Sequence, residues 1–411
     1  MLKPASLNQF LEAQFPAALE MLRQMVGINS FTLNRAGLKH LGRFSADAFA
    51  PLGFTAEFVP SANPQFGEHL VLTRRGRGPE NLALISHLDT VFPPEEEARN
   101  NFRWQVEGDR IFGPGTQDIK GGTVMIWLVL KALQAHAPRA FEATTWKLLL
   151  NSSEEMFSPD FGDVCRARFD AHTLGALVFE PEGRLGTEHL MVVARKGRAS
   201  WRVTATGRGA HAGGKHSHGA NAVLQLAQLL PQIAALTDYS RGLTFNVATV
   251  TGGTVLNRVP HEAVAEGEFR AFTPEVYQQA KSALLALAGP GAIRAVTDRF
   301  PCEIQVEILT ETRPWPRNPD TDRLFEFWRQ AGEELSYPIN LQERGGLSDG
   351  NQIWDAVPTL DGLGPWGDND HCSERSPDDA KLPEFVERSS FIPKAALNTV
   401  AIVKLLSHSG D

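Results

Sequence analysis

Histidine and acidic side chains recur in this chain at the ends of apolar runs of strand length. His87 and Asp89 close Leu82-Ala83-Leu84-Ile85-Ser86-His87-Leu88-Asp89-Thr90. Asp118 lies in Gly113-Pro114-Gly115-Thr116-Gln117-Asp118-Ile119-Lys120-Gly121-Gly122, Glu154 and Glu155 follow the run 144–150, and Glu180 ends the run 174–179. Along a strand, side chains i and i+2 share a face, so His87 and Asp89 are expected to point the same way. A carboxylate on the far nitrogen is a common way of orienting a metal-binding imidazole. A lone His-x-Asp is more often a strand-end histidine beside a surface acid; the repetition along the chain argues otherwise. In open α/β sheets, sites form at the carboxyl ends of the strands. Carboxylates converging there would repel one another unless a cation sat among them. The mixture of His with Asp and Glu suits zinc, with cobalt or manganese as alternatives.

The elements that must position these groups follow from hydrophobic spacing. Leu7, Phe10, Leu11, Phe15, Leu19, Leu22 and Met25 predict a first helix after Ser6, which Pro16 bends or divides. A second helix runs through Leu38, Leu41, Ala48 and Phe49. Strands are expected at 54–59, 69–73, 144–150 and 174–179 and along the His-x-Asp stretch from Leu82, with an apolar helix over 124–133. This alternation predicts a three-layer α/β domain. After Glu180 the pattern changes to strand 198–206, helix 219–236, strands 243–250 and 262–272, helix 274–287 and strand 303–310. That β-α-β-β-α-β order is ferredoxin-like. Past the stiff Arg313-Pro314-Trp315-Pro316 the α/β pattern resumes, with a helix at 319–335, strands near 339–343 and 357–361, and a closing helix at 392–406. The expected plan is a catalytic domain in two parts, 1–195 and 313–411, interrupted by an α+β module at 196–312.

The chain has 411 residues, 42% hydrophobic and 21% charged, with a formal net charge of -8. This composition is ordinary for a soluble globular protein and disfavours a nucleic-acid binder. The three cysteines (Cys165, Cys302 and Cys372) are scattered without a Cys-x-x-Cys, so neither a thiolate metal site nor a disulfide framework is indicated. No apolar run of membrane-spanning length and no signal segment stand out, and the expectation is a cytoplasmic protein without membrane partners. No Gly-x-Gly-x-x-Gly opens a helix after the first strand, and no Walker lysine or Gly-x-Ser-x-Gly elbow is present.

His87-Leu88-Asp89-Thr90-Val91, Asp118-Ile119-Lys120-Gly121-Gly122, Glu154-Glu155, Glu180 and a late His371 together resemble the dinuclear zinc peptidases of the M20 family. That group includes glutamate carboxypeptidases, aminoacylases, dipeptidases and biosynthetic deacylases. The resemblance runs over nearly the whole chain and implies the fold described, with the inserted module as a dimerisation (lid) domain. It implies two zinc ions per subunit. His87 and Glu180 would bind one, Glu155 and His371 the other, and Asp118 would bridge them. Asp89 would hold the His87 ring, and Glu154 would be the general base on a water shared between ions roughly 3.5–4 Å apart. The family has an acid about four residues after its late histidine; here Glu374 follows His371 by three.

Further site residues are implied in the module. Gly207-Arg208-Gly209-Ala210-His211-Ala212-Gly213 is similar to the family segment whose histidine reaches the other protomer's site in a homodimer and stabilises the oxyanion. A His-rich turn with His216 and His218 is the plainer alternative. Asn257 and Arg270 match substrate-contacting positions, and a guanidinium suits a terminal carboxylate. Gly346 and Ser348, in Gly345-Gly346-Leu347-Ser348-Asp349-Gly350-Asn351, match a pocket-lining segment. That segment is equally readable as a turn capped by Ser348 or Asp349. The implied activity is hydrolysis of an amide in a small peptide or N-acyl amino acid, releasing a C-terminal amino acid. An N-acyl-amino-acid deacylase or dipeptidase is the alternative, and a catalytically silent metal-binding scaffold a remoter one.

Overall fold

The computed structural model describes residues 3–157 and 159–408. They fall into two compact units. The first takes the residues up to Val193, Arg317–Glu343 and the chain from Ser348 on; the second takes Ala194–Pro316 and the strip Arg344–Leu347.

A six-stranded sheet lies at the centre of the first unit. Its order is Thr55–Pro60, Glu68–Arg74, Thr145–Asn151, Asn81–His87, Thr173–Val178 and Thr359–Leu360. The first two strands run antiparallel to their neighbours and the last four are mutually parallel. Asn81–His87 is buried at every residue, as a central parallel strand with both faces covered must be. Its alternate side chains feed two cores. Leu82 and Leu84 pack with Leu7, Leu11, Leu128, Trp328 and Leu397, on the helices Pro4–Val26, Lys120–His136, Pro319–Leu335 and Phe391–His408. Ala83 and Ile85 face Phe161, Cys165, Ile353 and Val357 on the other side. The mixed α/β architecture is therefore a sheet between two layers, and truncating Leu82 or Leu84 to alanine should cost about 2–5 kcal/mol.

Register sets up the site. His87 pairs with Asn151 and Ile85 with Val178, so three parallel strands end together and release His87, Glu154-Glu155 and Glu180 on one edge. Helix Lys120–His136 begins hard against that edge. A Cβ at Gly122 would lie 2.1 Å from the Phe179 carbonyl oxygen, and one at Gly121 2.3 Å from that of Thr116. A side chain at Gly122 would push the helix start away from the strand end that leads into Glu180, and one at Gly121 would disturb the turn from Thr116 that carries Asp118.

Several expectations need correction. Helix Pro4–Val26 runs unbroken through Pro16, because the burial of Leu7, Leu11, Ala18, Leu22 and Met25 along one face outweighs a single lost backbone bond. The helix Arg388–His408 is long and apolar enough to cross a membrane by length and composition, contrary to the sequence reading. However, 72% of its apolar window is buried within the protein. Two small sheets went unforeseen. One joins Gly183–Leu185, Glu188–Arg195 and Ile339–Arg344; the other joins Gln105–Glu107, Arg110–Phe112, Phe385–Glu387 and Gly367–Asp368. Several of these strands are only two or three residues long, too short for periodicity to show.

The second unit is an antiparallel sheet in the order Thr244–Gly252, Glu262–Ala271, Gly197–Thr206, Pro301–Thr312, Gly289–Arg294. The first four follow the ferredoxin-like order. The fifth, an edge strand beginning Gly-Pro-Gly, was not anticipated, since that composition reads as a turn. Gly197–Thr206 alternates buried and half-buried residues. Its inner face (Trp201, Val203, Ala205) packs on Leu226, Leu229 and Ile233 of helix Ala222–Ala234 and on Tyr277 and Leu284 of helix Pro274–Leu285.

Candidate metal centre

Asp118 stands in the middle of the cluster. Its Oδ1 lies 2.9 Å from His87 Nε2, and its Oδ2 lies 3.5 Å from His371 Nε2. His87 Nε2 is also 3.8 Å from Glu180 Oε1, and His371 Nε2 is 3.2 Å from Glu155 Oε2. The five expected ligands thus form two groups of three donors, His87-Asp118-Glu180 and Asp118-Glu155-His371. Each oxygen of one carboxylate faces one group. Donors around a tetrahedral zinc with bonds of about 2.0–2.1 Å sit roughly 3.3–3.4 Å apart. The spacings of 2.9 to 3.8 Å bracket that value, and the His/Asp/Glu chemistry is that of a zinc site with oxygen and nitrogen donors. Among the described residues these are the groups able to hold a metal, and His216 and His218 form none.

Second contacts hold the ligands in place. Strand Asn81–His87 stops at His87, so Asp89 is not related to it by strand alternation. The His87 Nδ1 proton goes to the Asp89 carbonyl at 3.0 Å, with the Asp89 carboxylate at 3.4 Å. That carboxylate is chiefly engaged elsewhere. It accepts from Thr32 Oγ1 at 2.7 Å and from the backbone N–H groups of Glu154 and Glu155 at 3.1 and 3.2 Å. Asp89 therefore sets the turn on which Glu154 and Glu155 diverge. Glu180 leads into the buried Glu182, ion-paired with the buried Lys394 at 3.1 Å. His371 is the outermost of the five expected ligands, with its side chain 54% exposed. The chain around it is held by pairing of Gly367–Asp368 with Phe385–Glu387.

Electrostatics describe a cage short of positive charge. Burial pushes the Glu154 carboxyl well above its ordinary range; Glu180, Glu155 and Asp349 push the same way, and His87 opposes. Burial and then Asp118 raise Glu155 to about 7. Asp118 and Glu155 lift His371 to about 11. Despite burial, which would raise it, hydrogen bonds from His371 and His87 hold Asp118 below the usual range. The raised Glu154, Glu155 and His371 hold protons more tightly than usual, and divalent cations would displace such protons.

Sequence reasoning missed two acids here. Asp349 is buried, takes a 2.7 Å hydrogen bond from Asn151 Nδ2, and is raised to about 7 by burial. Glu384 is fully buried beside Asp118 and raised to about 8, by burial first and then by Asp118. Its one sequence signal is a glutamate at the mouth of the apolar Phe385-Val386. Glu374, the nearer acid, is exposed and hydrogen-bonded to Lys381.

The remaining candidates fall in different surroundings. His211 and Asn257 are exposed on paired segments of the second unit, with Ala212 N–H donating to the Asn257 carbonyl at 2.9 Å. His211 Nδ1 accepts from the N–H groups of Gly213 and Gly214 at 3.1 and 3.0 Å. Its proton is thereby assigned to Nε2, which is left as a donor. Arg270 donates through Nε to Glu268 at 2.7 Å and through Nη1 to the Gly345 carbonyl at 2.9 Å. The Gly346 carbonyl accepts from Arg195 at 3.1 Å. Ser348 acts as the cap of the turn Asp349–Gln352, accepting from Gly350 N–H, and donates to Asp361 at 2.8 Å.

Comparison with known proteins adds independent findings. The M20 peptidase dimerisation domain family matches residues 193–293. Carboxypeptidase G2 of Pseudomonas sp. strain RS-16 is 30% identical over 356 residues, 85% of this chain and 81% of that protein. A succinyl-diaminopimelate desuccinylase of Alkalilimnicola ehrlichii is 28% identical over 366 residues, 84% of this chain and 90% of its own. Among solved structures, aminopeptidase PepT from Bacillus cereus superposes with a TM-score of 0.74 at 19% identity, covering 95% of this chain and 98% of that one.

Proposed function

We propose a reaction for this chain from the premise that it belongs to the M20 family of metallopeptidases, and is thus a metal-dependent hydrolase: cleavage of an amide that releases a C-terminal amino acid from a small peptide or N-acyl amino acid. The observation that carries this reading is Asp118, whose two oxygens are shared between two three-donor groups, with a further, half-buried carboxylate, Glu154, beside them. His87, Asp118 and Glu180 would hold one zinc, and Asp118, Glu155 and His371 a second; cobalt or manganese would fit the same donors. Two such cations, when bound, supply Lewis acidity toward a water and an amide carbonyl.

The chain's own residues do the rest. Glu154, which neither donor group requires, takes a proton from the attacking water on its carboxylate. It then delivers that proton to the amine nitrogen as the carbon–nitrogen bond breaks. A silent scaffold would have no use for such a group. Asp89 keeps Glu154 and Glu155 pointing apart through their backbone N–H groups. His211 offers Nε2–H to the developing oxyanion.

A homodimer in which the module carries His211 to the other protomer's site accords with the match to a dimerisation domain. The module's surface supports it. Thr244–Gly252 is an edge strand, and Val250, Val255 and fully exposed Leu256 lie on or just past it. An apolar edge strand suits pairing with a second copy. Arg270 would grip the substrate carboxylate, in competition with Glu268, while Asn257 and Gly346 offer polar groups to the rest of the substrate. Ser348 serves by holding its turn.

The similarity to a desuccinylase favours N-acyl-amino-acid deacylation as a second reading, with the same machinery. The test is amine release from a panel of dipeptides and N-acyl amino acids by metal-stripped protein reloaded with zinc, cobalt or manganese. Turnover of substrates ending in a free carboxylate is expected. Silence across the panel with every metal would overturn the reading.

A further inference from the structure

Glu384 is fully buried and has no part in the reaction described above. It precedes the strand Phe385–Glu387, at the end of the excursion that follows His371. Its Oε1 accepts from the N–H groups of Gln117 and Asp118 at 2.9 and 3.1 Å. Its own N–H donates to the carbonyl of Cys372, the residue after His371, at 2.8 Å. One residue thus grips the backbone of the shared ligand and the segment carrying the outermost one. Its Oε2 is buried with no hydrogen-bond partner among the described residues. A buried carboxylate is costly, and a residue that only filled this space would be apolar.

We propose that Glu384 is a positioning residue, a brace that aims both oxygens of Asp118 and keeps His371 in step with them. The proposal rests on the reading of Asp118 as a ligand shared by two metals. Two N–H groups converging on one oxygen fix the peptide planes on either side of Gln117, and with them the direction of the Asp118 side chain. The bond to Cys372 ties His371 to the same anchor. Support of this kind around a metal site typically changes affinity by roughly 10–100-fold.

The experiment titrates metal-free protein with zinc and, for its absorption spectrum, cobalt, at a temperature where heat-unfolding curves show every variant folded. Glu384→Gln keeps the accepting oxygen and loses the charge. Glu384→Asp keeps the charge and falls a methylene short, and Glu384→Ala removes both. The glutamine variant should bind like the wild type, while the aspartate and alanine variants should bind roughly 10–100-fold more weakly, with an altered cobalt spectrum. Wild-type affinity in both Glu384→Asp and Glu384→Ala, or a loss in Glu384→Gln equal to theirs, would overturn the brace. Should the alanine variant not fold, the glutamine–aspartate pair decides. Asp118→Ala is the control: if it too bound two ions normally, the reading of the centre itself would fall.

Discussion

The metal cluster and the His211 turn offer two histidine environments with opposite physics. His87 is almost wholly buried, with Nδ1 engaged by the Asp89 carbonyl and Nε2 by the Asp118 carboxylate. His211 is exposed, held on one nitrogen by two glycine N–H groups, with the other left as a donor to whatever approaches. The first environment is complete within one chain, because three parallel strands end in register and a helix start closes over them. The second has its proton oriented before any partner is present. Residues of the first kind should govern metal and chemistry together; those of the second should govern rate with the metal untouched.

The sharpest way to break that contrast is Glu154→Gln. It should retain the metal content of the wild type while turnover falls by roughly 10²–10⁴-fold. Near-normal turnover would remove Glu154 from the mechanism. Next in size is His211→Ala, expected to lower kcat by roughly 10²–10³-fold with metal affinity unchanged. Mixing its subunits with Glu154→Gln subunits should restore part of the activity if the histidine acts across a dimer. No recovery after proven subunit exchange would count against action in trans. Arg270→Ala should cost substrates with a free terminal carboxylate about 1.5–3 kcal/mol, read as a raised KM, and cost amidated ones far less; equal penalties would sink the assignment. Smallest is Thr273→Ala, which removes the cap accepting from Val276 N–H. It should lower stability by about 1 kcal/mol, seen in urea unfolding, without touching metal binding.

How much was visible beforehand follows from how local each determinant is. That His87, Glu155 and Glu180 gather was legible because each is an acid or imidazole at the exit of a continuous apolar strand, and that Asp118 and His371 join them was implied by the family resemblance. The four ferredoxin-like strands showed through their alternation. What was hidden depends on distant contacts. The orientation of Asp89 is set by Thr32 and by the 154–155 turn, not by strand geometry. Arg344–Leu347 groups with the second unit, where Arg270 and Arg195 donate to its carbonyls. Glu384 is separated from His371 by an excursion in which Glu374 is the nearer acid, and only folding shows which of them is buried.

Metal titration of stripped protein, followed by elemental analysis of the washed product, tests the central claim most directly. Two divalent ions per chain should bind, protons should be released as they do, and replacing Asp118 with alanine should weaken both. Active protein free of such ions, with turnover indifferent to chelators, would contradict the account.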